Sequence, residues 1–429
     1  MWHRLAGCIA LFALVTMALA ADKRSSSDDW PQWRGQNRTG ISQERGLLQH
    51  WPPEGPPLVW TARNLGGGYN APAVTGGRIY GMGFRGDDEV VWSLDEATGK
   101  EVWSTRFAAA RPPSKAPQGK EGPHGTPTVN GGEVFVVGLN GDVAAVEAAD
   151  GKLLWQKNFK EDFHGAMMSI WGYSESPFVD GDRVICTPGG PGAAIVALNK
   201  MTGDLIWKAN VPQKDKSAYS SVMPADIDGL HVYVQLLQKG LVVVAADDGR
   251  FLCRYDRMAN QVANITTPIV HGNLVFCSTA YKGGSALVRL VREGDRVKGE
   301  EVYYLPAKTF QNHHGGVVLV GDYLYGADGQ NDNKLTCIEF KTGRIVWHQD
   351  RGIGIKSAAV SYADGQLYVR YENGLMALVA ATPKGFKLNG KFDLPEKSGH
   401  ESWPHPVIAN GKLYIRDQDV LLCFDVKQH

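Results

Sequence analysis

A glycine followed four residues later by a tryptophan recurs along the chain, and this repeat constrains the fold more than any other feature. The four copies are DEATGKEVW, ending at Trp103, AADGKLLW, ending at Trp155, NKMTGDLIW, ending at Trp207, and EFKTGRIVW, ending at Trp347. Glycine adopts the positive φ of a tight turn between strands without steric cost. An indole at a fixed distance from that turn can pack flat against the neighbouring repeat. We therefore interpret these tryptophans as structural rather than catalytic.

A second phrase precedes each turn phrase. It reads small residue, Pro, any residue, Val, then a glycine turn and an apolar run, as in TPTVNGGEVFVVG (126–138) and SPFVDGDRVICTP (176–188). Counting the weaker copies at 223–235, 315–327, 358–370 and 405–417, the phrase occurs eight times, roughly fifty residues apart where it is clear. Four short strands repeated at this period are typical of a β-propeller blade. The sequence predicts an all-β, eight-bladed propeller of four-stranded antiparallel blades.

The two ends of the repeat array are complementary. The last copy stops at LLCFDVKQH, after its third strand, whereas GPPLVWTA (55–62) looks like a fourth strand without a blade. Closing the ring with this N-terminal strand would leave no open sheet between the first and last blades. We predict that residues 57–62 and 405–426 together form blade eight, that the propeller spans residues 57–426, and that residues 21–56 are an N-terminal extension.

The N-terminus resembles a secretory signal peptide. Arg4 precedes an apolar run from Leu5 to Leu19, and ALA precedes Ala21. The run is short for a membrane span, and the pattern predicts cleavage after Ala20. LAGC (5–8) matches a lipobox, but its apolar stretch follows the cysteine instead of preceding it. We expect an exported periplasmic or extracellular protein without a transmembrane segment.

Charge and cysteine content narrow the function classes. Lys and Arg together number 45, as do Asp and Glu, so no overall basic field favours nucleic acid. After the signal peptide five cysteines remain, an odd number, each in an apolar strand-like segment, which favours buried thiols over a disulfide framework. Nothing in the sequence calls for an oligomer, and we expect a monomer.

Histidines concentrate in the loops that lead into the first strand of each blade, here called the axial loops. Outside the signal peptide the chain has 11 histidines, and five of them lie in these loops: His124, His313, His314, His400 and His405. One interpretation is a ligand or cofactor site at the mouth of the propeller axis. The other is that these polar side chains only form hydrogen bonds around a water-filled channel. No H-x-H or H-E-x-x-H spacing indicates a transition-metal site.

The turn phrases resemble the blade motif of the pyrroloquinoline-quinone (PQQ) propellers. SLDEATGKEVW, AVEAADGKLLW and ALNKMTGDLIW carry this resemblance, which extends over nearly the whole mature chain. WPQWRGQNRTG (30–40) is similar to the opening segment of secreted PQQ-like propeller proteins of planctomycete-type bacteria. These are related to quinoprotein alcohol dehydrogenases and to the outer-membrane assembly propeller lipoprotein. The chain departs from the dehydrogenases because it has no adjacent Cys-Cys pair, and from the lipoprotein because its lipobox is misplaced.

The resemblance implies two functions. The first is a binding or scaffold protein of the outer-membrane assembly type, with envelope proteins or a small axial ligand as partners. The alternative is a PQQ-dependent dehydrogenase of an alcohol or sugar, with PQQ and Ca²⁺ as cofactors, and the sequence leaves open whether the chain is an enzyme. The candidate catalytic bases are His124 and His405, and Glu175 with Asn264 are candidate calcium ligands. The candidate cofactor-binding residues are Trp171, Tyr173, Glu175, Tyr219, Asn264, His313, His314, Lys356 and Trp403. Among these, Trp171 or Trp403 would stack on the quinone and Lys356 would neutralise a carboxylate.

Overall fold

Eight four-stranded antiparallel sheets form one propeller. The computed structural model describes residues 28–111, 122–330, 332–350 and 352–429. Within those residues, 32 strands are arranged as eight blades, which confirms the predicted all-β, eight-bladed fold. The expected signal peptide, residues 1–20, lies outside the described residues.

The strands are numbered in chain order and grouped by blade. Blade eight takes its outer strand from β1 (Leu58–Ala62). Blade one comprises β2 (Ala73–Thr75), β3 (Arg78–Arg85), β4 (Asp88–Asp95) and β5 (Glu101–Ala109). Blade two comprises β6 (Thr128–Asn130), β7 (Glu133–Val137), β8 (Asp142–Glu147) and β9 (Leu153–Asn158). Blade three comprises β10 (Phe178–Asp180), β11 (Arg183–Cys186), β12 (Ile195–Asn199) and β13 (Leu205–Ala209). Blade four comprises β14 (Met223–Ile227), β15 (Leu230–Leu237), β16 (Gly240–Ala245) and β17 (Phe251–Tyr255).

The second half of the ring repeats this order. Blade five comprises β18 (Ile269–His271), β19 (Leu274–Thr279), β20 (Gly284–Glu293) and β21 (Arg296–Leu305). Blade six comprises β22 (Val317–Val320), β23 (Tyr323–Asp328), β24 (Lys334–Glu339) and β25 (Ile345–His348). Blade seven comprises β26 (Ala358–Ala363), β27 (Gln366–Tyr371), β28 (Leu375–Ala380) and β29 (Leu388–Asp393). Blade eight is completed by β30 (Val407–Ala409), β31 (Lys412–Asp417) and β32 (Val420–Asp425).

The described residues contain one short helix, α1 (Phe159–Phe163), between blades two and three. The Asn158 side chain caps its first turn by accepting hydrogen bonds from the backbone N–H groups of Lys160 and Glu161. Among the described residues no helix combines the length and the apolar character that crossing a membrane requires.

A β-bulge lies between the third and fourth strands of every blade, close to the tryptophan position. In blade two, Ala145 pairs with Trp155 and Val146 with Leu153, so that Leu154 is the extra residue. A bulge re-aims the side chains that follow it. Here Trp155 is buried while Leu153 is exposed, because the bulge turns the indole toward the next blade.

The tryptophans on the fourth strands of the blades pack on the turn of the following blade. The Trp155 indole lies over Gly203, where a Cβ would come within 2.7 Å of the ring, and its Nε1 donates to the Lys200 carbonyl over 2.8 Å. Gly203 also has a φ of 73°. The turn therefore needs glycine twice over, for its conformation and for the indole above it. The same donation to a backbone carbonyl of the next blade is made by Trp60, Trp103, Trp207 and Trp347.

The contact between two neighbouring blades is here called a seam. Where the fourth strand has no tryptophan, other side chains fill the seam. In blade five Tyr303 lies on Gly343 and donates to the Phe340 carbonyl over 2.9 Å. In blade seven the N-terminal extension supplies Trp51, whose ring centroid lies 5.3 Å from that of Phe392. The extension therefore contributes to the core between blades seven and eight.

The ring closes as the sequence predicted. Strand β1 pairs antiparallel with β32, with Trp60 opposite Cys423, and it is the outer strand of blade eight. The strand begins at Leu58, one residue later than the predicted segment. The five cysteines after the signal peptide are all free, and four of them are buried.

Candidate functional site

Residues 30–42 of the N-terminal extension, here called the axial plug, lie across the centre of the ring. Trp30 exchanges two backbone hydrogen bonds with Val74 of blade one, over 2.7 and 2.8 Å. The Pro31 carbonyl accepts from Val129 of blade two over 2.8 Å. Farther along, the plug bonds to both backbone groups of Tyr362 in blade seven. Since each partner lies on the innermost strand of its blade, the plug crosses the propeller axis.

Two buried arginines fix the plug to further blades. Arg38 donates to the carbonyls of Ser176 and Pro177 over 2.9 and 3.1 Å, before blade three. Arg34 donates through Nη2 to the Val317 carbonyl over 2.6 Å, at the start of blade six. Burial lowers the pKa of Arg34 to about 10 and that of Arg38 to about 9. Both side chains therefore stay cationic at neutral pH.

A cavity of about 140 Å³ opens where the plug meets the axial loops. The plug contributes Trp33 and Arg34, and Trp33 Nε1 donates to Thr267 Oγ1 over 3.0 Å. Its other aromatic and imidazole lining side chains come from seven blades or the loops leading to them: Tyr69, His124, Trp171, Tyr219, Tyr281, His314, Trp403 and His405. Six of the residues singled out from the sequence thus surround one cavity: His124, Trp171, Tyr219, His314, Trp403 and His405.

The rings around the cavity touch one another. The centroid of Trp403 lies 4.5 Å from that of Tyr69 and 4.5 Å from that of His314. The Trp33 and His405 rings meet edge-on at 4.6 Å. Because aromatic rings and neutral imidazoles form its walls, the cavity suits the flat face of a small organic molecule.

The cavity histidines are neutral at physiological pH. Burial lowers the pKa of His124 to about 4 and that of His405 to about 3. His124 Nδ1 lies 2.9 Å from Ser174 Oγ, and His405 Nε2 lies 3.3 Å from the His314 carbonyl oxygen. Since a carbonyl can only accept, His405 carries its proton on Nε2 and exposes an accepting Nδ1.

Two other predicted residues lie just outside the cavity. His313 is held between Ser357 Oγ and the Tyr281 hydroxyl, each 2.9 Å away, and its ring lies 3.6 Å from that of His314. His313 therefore packs against the His314 ring and helps to hold it in place. Lys356 forms ion pairs with Glu372 and Glu401 at 3.1 and 3.5 Å, in a separate depression.

The remaining predicted residues fasten the axial loops to the blades. Tyr173 is buried against Phe159, and its hydroxyl donates to the Pro188 carbonyl over 3.0 Å. The Glu175 carboxyl accepts the backbone N–H of Thr187, and burial raises its pKa to about 7. None of these side chains lines the axial cavity.

Asn264 is held in the same way. It donates to the Leu237 carbonyl over 2.9 Å and accepts from the Asn260 N–H over 3.0 Å, so its amide oxygen is already engaged. Among the described residues, no group of three or more His, Cys, Asp and Glu is arranged to hold a metal ion. The assignment of Glu175 and Asn264 as calcium ligands stays a prediction.

Three side chains that line the cavity lie outside the axial loops considered in the sequence analysis: Trp33, Arg34 and Tyr281. Tyr281 follows the second strand of blade five rather than preceding the first, so it fell outside the loops considered. Trp33 and Arg34 belong to the WPQWRG segment, which was noted only as a resemblance. The two tryptophans of this polar segment, Trp30 and Trp33, were the available signal, since tryptophan is highly buried on average.

Comparison with known proteins places the chain in a family. A family model described as outer membrane protein assembly factor BamB matches residues 33–114 and 87–349. BamB of Shewanella oneidensis is 26% identical over 236 residues, a match covering 52% of this chain and 55% of that protein. BamB of Yersinia pestis is 25% identical over 333 residues, covering 74% of this chain and 76% of that protein. The chain thus aligns with little more than half the length of the Shewanella protein.

Solved structures share the fold at low sequence identity. The crystal structure of BamB from Moraxella catarrhalis superposes with a TM-score of 0.59 at 13% identity, covering 87% of this chain and 98% of that one. Quinohemoprotein alcohol dehydrogenase from Comamonas testosteroni gives 0.65 at 12%, covering 94% and 81%. Both likenesses show the fold alone. The family match, which covers most of the propeller, shows that the chain belongs to the outer membrane protein assembly factor BamB family of PQQ-like β-propellers.

Proposed function

We propose that the chain is an exported scaffold of the bacterial envelope that binds other envelope proteins, as an outer-membrane assembly factor-like propeller. Family membership and the names of its relatives support this proposal. The signal-peptide pattern of residues 1–20 supports export, since a scaffold of this kind acts outside the cytoplasm.

The observation that carries the proposal is an apolar rim on the face of the disc formed by the axial loops. Ile170, Val262 and Ile355 precede blades three, five and seven, and their exposed fractions are 51%, 40% and 53%. Ser169 Oγ donates to the Val262 carbonyl over 3.0 Å, which brings the first two loops together. Contiguous exposed apolar patches on a protein surface mark interaction sites.

The lining of the axial cavity does not suit the quinone cofactor of the alternative function. PQQ is a tricyclic tricarboxylate, whereas the cavity volume is about 140 Å³. Among the described residues that line it, Arg34 is the one permanently cationic side chain, and no Asp or Glu is present. Lys356, assigned to a quinone carboxylate, is paired with Glu372 outside the cavity. The roles of His124 and His405 as catalytic bases stay predictions.

Photo-crosslinking tests the scaffold proposal. A photoreactive amino acid placed at position 170, 262 or 355 in the native host is expected to form adducts with envelope proteins, identified by mass spectrometry. Met201 is a matched control because it is 58% exposed and lies in the turn between the third and fourth strands of blade three, on the opposite face. Adducts of equal yield from position 201, or none from the rim, would contradict the proposal.

A second measurement separates the scaffold from the dehydrogenase. Purified mature protein is mixed with PQQ and Ca²⁺, and bound-quinone absorbance and dye-linked alcohol oxidation are recorded. We expect neither signal. Stoichiometric quinone binding with turnover would replace the scaffold proposal with the dehydrogenase.

A further inference from the structure

Five buried polar atoms around the axial cavity have no hydrogen-bond partner among the described residues. They are Arg34 Nη1, the Tyr69 hydroxyl, His124 Nε2, Trp403 Nε1 and His405 Nδ1. Arg34, Tyr69 and His405 are 3%, 5% and 5% exposed. A buried polar atom without a partner costs about 1–3 kcal/mol, so five of them around one cavity are a substantial cost that a bound ligand can relieve. Their convergence on one cavity indicates a site built for a ligand.

The five atoms define what the ligand must offer. Arg34 Nη1 and Trp403 Nε1 can only donate, and the Tyr69 hydroxyl can donate as well. His405 Nδ1 accepts, because the proton of this ring lies on the nitrogen facing the His314 carbonyl. A ligand that fills these positions presents mainly acceptor oxygens, with at most one or two donor groups.

The charge of Arg34 makes the preferred acceptor an anion. Arg34 Nε and Nη2 donate to backbone carbonyls, and burial is the cause that lowers its pKa, with no carboxylate of the described residues acting against it. By contrast, Asp417 lies 4.0 Å from the buried Arg370. A buried cation without a counter-ion is costly, and an anionic ligand relieves that cost.

Gly316, which has no side chain, leaves space directly beside Arg34 Nη1. A Cβ at this position would lie 2.6 Å from Arg34 Nη1 and 3.0 Å from His405 Cε1. The cationic donor and the accepting imidazole therefore flank one small open surface, where a carboxylate and a neighbouring hydroxyl can both be bound.

We propose that the axial cavity binds a small aromatic carboxylate, with the carboxylate on Arg34 and the ring between the aromatic walls. The volume of about 140 Å³ is close to that of cavities that hold benzene, so a single ring fits. Trp403 and Tyr69, whose rings contact each other with centroids 4.5 Å apart, form one wall that supplies both stacking surface and hydrogen-bond donors. This site is independent of the apolar rim and of the protein partner proposed for it.

Titration of the full mature protein with benzoate tests the site, with benzamide as the neutral isostere. Binding is followed by calorimetry and by tryptophan fluorescence, since three tryptophans line the cavity. We expect benzoate to bind about 10- to 100-fold more tightly than benzamide, as for a charge-assisted hydrogen bond. The affinity should stay constant from pH 5.5 to 8, because Arg34 is charged and the histidines are neutral throughout that range.

Conservative variants assign the effect to the cavity. Tyr69→Phe and Trp403→Phe each remove one unpartnered donor and should weaken benzoate binding several-fold. Tyr368→Phe is the matched control, because the buried Tyr368 hydroxyl also has no partner in the part of the chain that the structure describes, but it lies in the core between blades seven and eight. Arg34→Gln should abolish the preference for benzoate over benzamide. If Arg34→Gln does not fold, the benzoate affinities of Tyr69→Phe and Trp403→Phe, compared with that of Tyr368→Phe, test the proposal.

Three outcomes would overturn the proposal. One is equal affinity for benzoate and benzamide, or no binding of benzoate at millimolar concentration. Another is an equal effect of Tyr69→Phe and Tyr368→Phe. The third is inorganic phosphate competing as well as benzoate, which would identify an anion site without selectivity for an aromatic ring.

Discussion

At the scale of single residues, the tryptophan of each repeat joins two blades rather than stabilising its own. Trp155 belongs to blade two, but its ring and its indole N–H contact Gly203 and Lys200 of blade three. The fixed spacing of glycine and tryptophan arises because each blade presents a turn to the preceding blade and an indole to the following one. The spacing of glycine and tryptophan is therefore set by the contact between neighbouring blades of the ring.

Replacing Trp155 with alanine should destabilise the protein by about 3–5 kcal/mol, as large-to-small core substitutions do. The residue is 7% exposed and would leave a cavity at the seam. Chemical denaturation followed by circular dichroism measures the change. Trp171→Ala is the contrasting variant, since Trp171 is partly exposed at the cavity mouth and should cost much less. Equal losses for the two variants would show that the seam tryptophan has no special structural role.

At the scale of elements, a buried carboxyl connects two neighbouring blades. Glu89 on β4 of blade one accepts the backbone N–H of Leu139, in the loop after β7 of blade two, over 2.8 Å. Its side chain is fully buried, and burial raises its pKa to about 8. The carboxyl is therefore protonated in the folded protein at neutral pH and ionised in the unfolded chain.

This difference makes folding dependent on pH. A raised carboxyl pKa means that the folded state binds the extra proton, so the contribution of Glu89 to stability falls as pH rises from about 4.5 to about 8. The expected slope is about 1.4 kcal/mol per pH unit. Glu89→Gln, which stays neutral, should remove that slope. The free energy of unfolding of both proteins between pH 5.5 and 8 measures it, and parallel pH profiles would refute the assignment.

At the scale of the whole molecule, the N-terminal segment has two separate tasks. The plug and the residues up to Trp51 fill the axis and one seam, whereas β1 closes the ring. A propeller without β1 would expose the edge of β32, and an exposed edge strand promotes association.

Two truncations should separate these tasks. Removing residues 22–56 should lower the melting temperature and abolish benzoate binding, because the cavity loses Trp33 and Arg34. Removing residues 22–62 should in addition produce aggregation, because β32 loses its partner. Size-exclusion chromatography and thermal melting compare the two proteins. Identical behaviour would mean that β1 does not close the ring in solution.

The sequence by itself determined the blades, the turns and the closure of the ring, because these depend on short-range chemistry. Alternating apolar residues and turn glycines can each be recognised within a few residues, and so can a spare strand at the N-terminus and a last blade that lacks one. Eight copies of a four-stranded unit then predict an eight-bladed propeller.

Tertiary structure decided which polar residues of the axial loops face the cavity and which hold the loops in place. Glu175 and Asn264 are of the same types that bind cations, yet both bond to backbone groups of the blades. The path of the plug was equally beyond local patterns, since Trp33 contacts Thr267, and Arg34 contacts Val317, across 234 and 283 residues. Contacts at such separations depend on the finished ring, because only its closed centre offers the carbonyls and the space that the plug occupies.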